Sequence, residues 1–116
     1  MASVFVNKKV DLTSDATTTL YTVPSATTAI IKSILVSDDS GSGSTITVTI
    51  TNTSNAVFSI VYQRDVPADQ QSGPLDLLSN PLIAEAGEII KVSAANANRL
   101  HVVLSAMEVT PRNVVT

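Results

Sequence analysis

The chain has 116 residues, no cysteine, no tryptophan and a formal net charge of −3. A chain of this length fits one domain that buries roughly two thirds of its unfolded surface. The absence of cysteine excludes disulfides and thiolate metal sites. The seven lysines and arginines are scattered, and no segment has the apolar length of a signal peptide or a membrane span. We therefore expect a soluble, unsecreted protein without a nucleic-acid or membrane partner.

The first twelve residues, MASVFVNKKVDL, form either an N-terminal arm or an edge strand. Val4, Phe5 and Val6 make an apolar cluster, which Lys8 and Lys9 follow closely. As an arm, the cluster would dock on a neighbouring subunit while the lysines meet acidic groups there. As an edge strand, the same segment would simply complete a sheet of its own domain. Both interpretations stay open here, and the five residues are predicted interface residues.

Strands are predicted next for residues 18–23 and 28–38, and the second of these is apolar on both sides. The sequence TAIIKSILVSD places Ile30, Ile34 and Val36 on one parity and Ala29, Ile31 and Leu35 on the other. An antiparallel strand with one solvent-exposed face needs apolar residues only at every second position. We predict that the first row faces the core and that an arm or a neighbouring subunit covers the second.

The segment STITVTITN alternates isoleucine and valine with threonine, which is typical of a strand with one buried and one hydroxyl-covered face. The run DDSGSGS before it contains two glycines, so residues 28–51 are predicted to form an antiparallel hairpin. Asp38 and Asp39 lack the ligand spacing of a calcium loop, which favours a solvated turn. A second turn is predicted at residues 52–55, leading into the strand AVFSIVYQR.

The remainder of the chain continues this rhythm of short strands and turns. A loop is predicted at residues 68–74, then LDLLSNPLI, a turn at residues 85–87, EIIKVS, a turn at ANANR and the last strand, LHVVLSAMEV. Prolines limit any helix to one turn near Leu75 to Leu78. About eight strands predict an all-β protein: a single antiparallel, jelly-roll-like β-sandwich over residues 13–110, with residues 111–116 as a tail. The predicted core comprises Ile34, Val36, Ile46, Val48, Ile50, Ile60, Ile90, Val92, Val102 and Leu104.

The sequence contains no convincing set of catalytic residues. His101 is the only histidine, and it lies in a predicted apolar strand, as expected for a residue at a rim or a subunit contact. Serines are abundant, but none lies in a nucleophile-elbow motif. We therefore predict no enzyme activity and no catalytic, cofactor-binding or metal-binding residues.

Four segments are similar to motifs of a group of small virion proteins of tailed bacteriophages, including phages of cyanobacteria. LYTVP at residues 20–24 precedes a strand segment at residues 34–38 that ends in VSD, and IAEAGEIIKV at residues 83–92 precedes VVLSAMEV at residues 102–109. The resemblance covers roughly residues 17–110. Its motifs are strand and turn signatures without an active site.

The resemblance implies a non-enzymatic virion protein with a β-sandwich fold, found on heads as a cement or decoration protein and also in necks, tails and fibres. Size, the lack of a fibrous repeat and the possible arm favour a capsid cement protein on the phage head. Such a protein would act as a homotrimer that binds the major capsid protein and bridges capsomers. The alternative is a neck, tail, baseplate or fibre component of the virion.

Overall fold

The computed structural model describes residues 2–68 and 75–110, which form nine strands and no helix. The strands are β1 (Ala2–Asp11), β2 (Thr18–Thr22), β3 (Thr28–Asp38), β4 (Ser44–Thr51), β5 (Val57–Val66), β6 (Leu75–Asp76), β7 (Leu82–Ala84), β8 (Ile89–Ala94) and β9 (Leu100–Thr110). In this part of the chain no helix could cross a membrane. The predicted all-β class is confirmed, and residues 75–78 contain a short strand instead of a helical turn.

The strands form two antiparallel sheets that pack face to face. The first sheet has the order β1-β9-β3-β6, with β7 also paired to β3, and the second has the order β2-β8-β4-β5. Alternate side chains of both sheets point inward and build one aliphatic core. This arrangement confirms the predicted β-sandwich.

Most of the predicted core residues lie in that core. Ile34, Val36, Ile46, Val48, Ile90, Val92, Val102 and Leu104 are buried, whereas Ile50 and Ile60 are partly buried and pack against the cluster. The predicted list leaves out twelve further buried apolar residues, among them Leu12, Leu20, Tyr21, Val23 and Leu100. These five residues lie in short strands or at and just beyond strand ends, where too few positions alternate to reveal a face.

The predicted faces of β3 are wrong for Ala29, Ile30 and Ile31 and correct for Ile34, Leu35 and Val36. Four side chains of β3 face the core: Ala29, Ile31, Ile34 and Val36. The pairing of β3 with β9 shifts by one residue between Ile31 and Ser33. Such a bulge inserts one residue and moves every later side chain to the opposite face. Ala29 and Ile31 are therefore core residues, and Ile30 and Leu35 lie partly buried on the outer face.

The predicted hairpin of residues 28–51 is also wrong, because β3 and β4 belong to different sheets. The segment between them crosses the sandwich. The Asp38 carboxylate accepts hydrogen bonds from the Ser40 amide at 2.8 Å, the Ser40 hydroxyl at 2.6 Å and the Gly43 amide at 2.7 Å. These bonds, those of Ser40 above all, lower the pKa of Asp38. The aspartate thus organises a crossing and not a hairpin turn.

The observed hairpin joins β4 to β5 through the turn predicted at residues 52–55. The Asn52 amide donates to the Ala56 carbonyl at 2.9 Å, and the Asn52 side-chain oxygen accepts from the amides of Ser54 and Ala56. Asn55 has a φ of 66°, a left-handed conformation that asparagine tolerates. Of the other predicted segments, residues 69–74 and the tail at 111–116 lie outside the described residues.

Candidate subunit interface

β1 forms one edge of the first sheet. It pairs with β9 along its whole length, from Ala2 opposite Thr110 to Asp11 opposite His101. Val4 is 53% exposed and Phe5 is 77% exposed, although both are large apolar residues. Natural sheets usually protect an edge with charges, bulges or prolines, and the first half of β1 has none.

The five predicted interface residues of β1 do not all face the same way. Val6 is opposite the buried Ala106 and packs against the core, and Lys8 is opposite Leu104 on the same side. Phe5 and Lys9 point to the outer face because side chains alternate along a strand. Val4, Phe5, Lys8 and Lys9 are exposed, so they are accessible to a partner. Their role as interface residues stays a prediction.

β5 forms the corresponding edge of the second sheet, where it pairs only with β4. Val57, Phe58 and Tyr62 are 60%, 56% and 71% exposed, and Val66 is the only buried side chain of the strand. The sequence prediction missed this surface. The signal that could have found it is the presence of apolar residues on both parities of VFSIVY.

Two irregularities distort β5. Its pairing with β4 gains one extra residue at Ile60 and another at residues 62–63. Gln63 has a φ of 48°, and its amide donates to the Thr47 hydroxyl at 3.0 Å. The strand therefore cannot offer an unbroken row of backbone groups to a partner strand.

Threonines cover the outer face of the second sheet, as the alternation of STITVTITN predicts. Thr47, Thr49 and Thr51 line a shallow groove together with Lys91 and Ser93 of β8. The Thr51 hydroxyl is buried and has no hydrogen-bond partner within residues 2–68 and 75–110. This face is polar without being strongly charged, which suits close approach of another protein surface.

His101 joins β1 to the crossing after β3. Its Nε2 atom lies 3.3 Å from an Asp11 oxygen and 3.1 Å from an Asp39 oxygen, and all three side chains are substantially exposed. The described residues contain no cluster of histidine, cysteine, aspartate and glutamate that could hold a metal ion. The arrangement is that of a solvent-exposed polar cluster at a rim.

A partly buried hydrogen bond connects the two sheets at the other end of β9. The Tyr21 hydroxyl, on β2, donates to a Glu108 carboxylate oxygen at 2.6 Å. Burial raises the pKa of Tyr21, and the hydrogen bond and charge of Glu108 add to this effect. The pair holds the sheets in register but has no free reactive group.

No protein-family model and no curated protein sequence matches the chain. Two solved structures have a similar fold, both described as crystal structures of a pentameric capsid protein isolated from metagenomic phage sequences. The chain shares its fold with these phage capsid proteins. The TM-scores are 0.50 and 0.51 at 19% identity, over 97% of this chain. The chain spans about two thirds of the neighbours' length, 65% and 68% respectively.

Proposed function

We propose that this chain is a structural protein of a phage virion and that it works through protein contacts instead of catalysis. The observation that carries the proposal is the fold shared with pentameric capsid proteins of metagenomic phages. The resemblance of residues 17–110 to small virion proteins of tailed phages points independently to the same class. The two observations are of different kinds, because the fold similarity compares backbone structures and the resemblance compares strand and turn motifs in the sequence.

The surface supports a protein that assembles. Val4, Phe5, Val57, Phe58 and Tyr62 are large apolar residues that stay exposed on two edge strands. An exposed apolar edge is an aggregation hazard for a monomer and is usually covered in the working state of the protein. A virion subunit meets this requirement because its neighbours in the particle cover such surfaces.

Within the virion, our proposal is a cement or decoration protein of the head that binds the major capsid protein. A small oligomer placed over a junction of capsomers ties each of them to the others. Several weak attachments then act together through effective concentration, so modest affinity per subunit gives durable attachment. Since the charged residues are scattered, apolar and hydrogen-bonded contacts should dominate and salt should weaken binding only modestly.

The number of copies in the oligomer is a separate question. The resemblance to cement proteins predicts a homotrimer, whereas the fold neighbours are described as pentameric. The two numbers place the protein differently, because a trimer suits a three-fold junction of capsid subunits and a pentamer suits a five-fold vertex. The mass of the assembled protein in solution distinguishes them.

Particle composition tests the proposal. Purified particles are digested, and the ratio of this chain to the major capsid protein is measured by quantitative mass spectrometry. A ratio near one to one supports cement, whereas a handful of copies would assign the chain to the neck, tail or baseplate. Absence from the particles would overturn the virion assignment itself.

The cement role has its own test. Particles with and without the protein are heated or osmotically shocked side by side, and the release of DNA is followed. We expect the particles without the protein to release DNA under milder conditions. Equal release from both would contradict cement while leaving a virion role in place.

A further inference from the structure

We infer that copies of this chain join head to tail, with the β5 edge of one copy packed against the β1 edge of the next. The inference rests on the proposed function only in assuming that the working state is an assembly. It goes further in assigning two different surfaces of the chain to one repeated contact. The N-terminal segment alone would supply only half of that contact.

The two edges lie on opposite sides of the sandwich. β1 begins the first sheet and contacts β2, which begins the second. β5 ends the second sheet and contacts β3, next to the short strands β6 and β7 of the first. A partner on β5 therefore leaves β1 free for another partner.

The exposed apolar residues are concentrated on these two strands. Six large hydrophobic side chains are exposed among the described residues: Val4 and Phe5 on β1, Val57, Phe58 and Tyr62 on β5, and Ile83 on β7. The charged residues of both edges follow the apolar ones: Lys8, Lys9 and Asp11 on β1, and Arg64 and Asp65 on β5. Each edge thus has an apolar half without charge and a charged half, and two such edges can be matched.

Head-to-tail packing explains both edges with one interface. A symmetric contact of β5 with β5, or of β1 with β1, would leave the other apolar edge in water on every copy. A heterologous contact covers both edges, and it closes into a ring when the rotation between copies is a simple fraction of a turn. This geometry is compatible with three or five copies.

The available area is sufficient. Both strands contain 10 residues, which corresponds to a length of about 33 Å. The smallest dimension of the molecule is 21 Å. A side of that size offers about 700 Å² per partner, close to the roughly 800 Å² per partner of a specific interface.

The irregular backbone of β5 determines the kind of contact. The extra residues at Ile60 and at residues 62–63 interrupt the free edge, so a continuous ladder of hydrogen bonds with a neighbouring β1 cannot form. Packing of the Phe58 and Tyr62 rings against Val4 and Phe5 must then supply most of the contact. Aromatic side chains suit this role because each buries a large area at little cost in side-chain entropy.

The test uses one defective variant of each edge. Phe5→Asp disables β1, Phe58→Asp disables β5, and Ala97→Asp places the same charge on an exposed apolar residue in the turn between β8 and β9, away from both edges. Sedimentation velocity gives the size of each protein, and circular dichroism melting shows that each is folded. We expect the wild type and the Ala97→Asp variant to be ring-sized, and the two edge variants to be monomers.

Mixing the two edge variants gives the decisive result. A copy with Phe5→Asp keeps an intact β5 edge, and a copy with Phe58→Asp keeps an intact β1 edge, so a mixture has one working contact per pair. We expect a dimer in the equimolar mixture and nothing larger. Tyr62→Asp repeats the experiment at the most exposed ring of β5, which removes any dependence on the folding of the Phe58→Asp variant.

Other outcomes would overturn the inference. Loss of assembly with one edge variant but not the other, and no heterodimer of the two variants in the mixture, would indicate a symmetric contact. A monomeric wild type at about 100 μM, far above the micromolar or tighter Kd of specific interfaces, would exclude the contact altogether. Neither outcome affects the virion assignment, which the composition of purified particles tests separately.

Discussion

β3 and β5 have the same kind of sequence and opposite environments. Both strands place apolar residues on both parities, as TAIIKSILV and VFSIVY show. In β3 a bulge after Ile31 brings both parities to one core, and four side chains become buried. In β5 only Val66 is buried, and the remaining apolar residues lie at an open edge. A two-sided apolar strand is therefore either a bulged central strand or an uncovered edge.

Position in the sheet causes the difference. β3 lies between β9 on one side and β6 and β7 on the other, so its inward side chains have neighbours in every direction. β5 has β4 on one side only. The same residue types thus stabilise folding in β3 and are available for assembly in β5.

The largest effect on stability is expected from a substitution that tests the bulge of β3. Ile31→Ala removes a fully buried side chain and should lower the free energy of unfolding by about 2–5 kcal/mol. Val57→Ala on β5 should change it by less than about 0.5 kcal/mol, because that side chain is exposed. Urea unfolding of both variants measures the contrast. Equal costs would show that Ile31 does not face the core.

The next largest effect on stability is expected in the crossing between β3 and β4. This segment lies against Val66, the one buried residue of β5. Gly43 has a φ of +72°, and a Cβ there would lie 3.0 Å from the Val66 carbonyl oxygen. Gly41 has a similar φ of +78° but open space around it. Gly43→Ala should cost about 2 kcal/mol and Gly41→Ala about 1 kcal/mol, since both strain the backbone and only the first adds a clash. Thermal unfolding that ranked them the other way would contradict the contact with β5.

The two tyrosines extend the comparison to aromatic residues. Tyr21→Phe removes a partly buried hydrogen bond to a carboxylate and should cost about 1.5 kcal/mol, whereas Tyr62→Phe on β5 should have almost no effect on stability. The folded-state pKa of Tyr21 lies above its ordinary value of 10.0, so its contribution is complete below pH 10 and is lost as the pH rises above it. Between pH 8 and about pH 11, the free energy of unfolding should fall less in Tyr21→Phe than in the wild type. Denaturant unfolding of both proteins at the two pH values measures this difference.

The smallest effect concerns the Asp38 carboxylate at the end of β3. Its folded-state pKa lies below the ordinary 3.8, so its stabilisation is present above that value and is lost as the pH falls through the lowered pKa. Asp38→Asn should therefore unfold at a lower temperature than wild type at pH 7, and the gap should narrow at about pH 3. The exposed Asp15→Asn serves as the control. A gap that stays constant with pH would mean that the charge of Asp38 does not matter.

Part of the candidate interface could be predicted from the sequence. Val4, Phe5, Lys8 and Lys9 stand out because an apolar cluster next to lysines near the chain start is unusual for a buried strand, and the structure exposes all four. Unbroken alternation through β3 predicts Ala29 and Ile31 on a face that an arm or a neighbouring subunit covers, because the sequence does not show the bulge. The exposure of Phe58 and Tyr62 cannot be predicted in this way, because a strand sequence does not show whether its far side has a neighbour.

Local sequence patterns predict the fold class, eight of the 20 buried apolar residues of the described chain and several turns. Alternation of apolar and polar residues reports which side chains share a face, and asparagine and glycine mark the positions where the chain reverses. These are local properties of the chain, so they can be recognised in a single sequence.

Which strands are neighbours depends on long-range contacts that form only in the folded chain. Consecutive strands with inward apolar faces can pair in one sheet or face each other across the core, and both bury the same residues. β3 and β4 do the second, because the bonds of Asp38 and the positive φ of Gly43 direct the chain across the sandwich. The bulge in β3 and the open edge of β5 follow from these long-range pairings, which no local pattern contains.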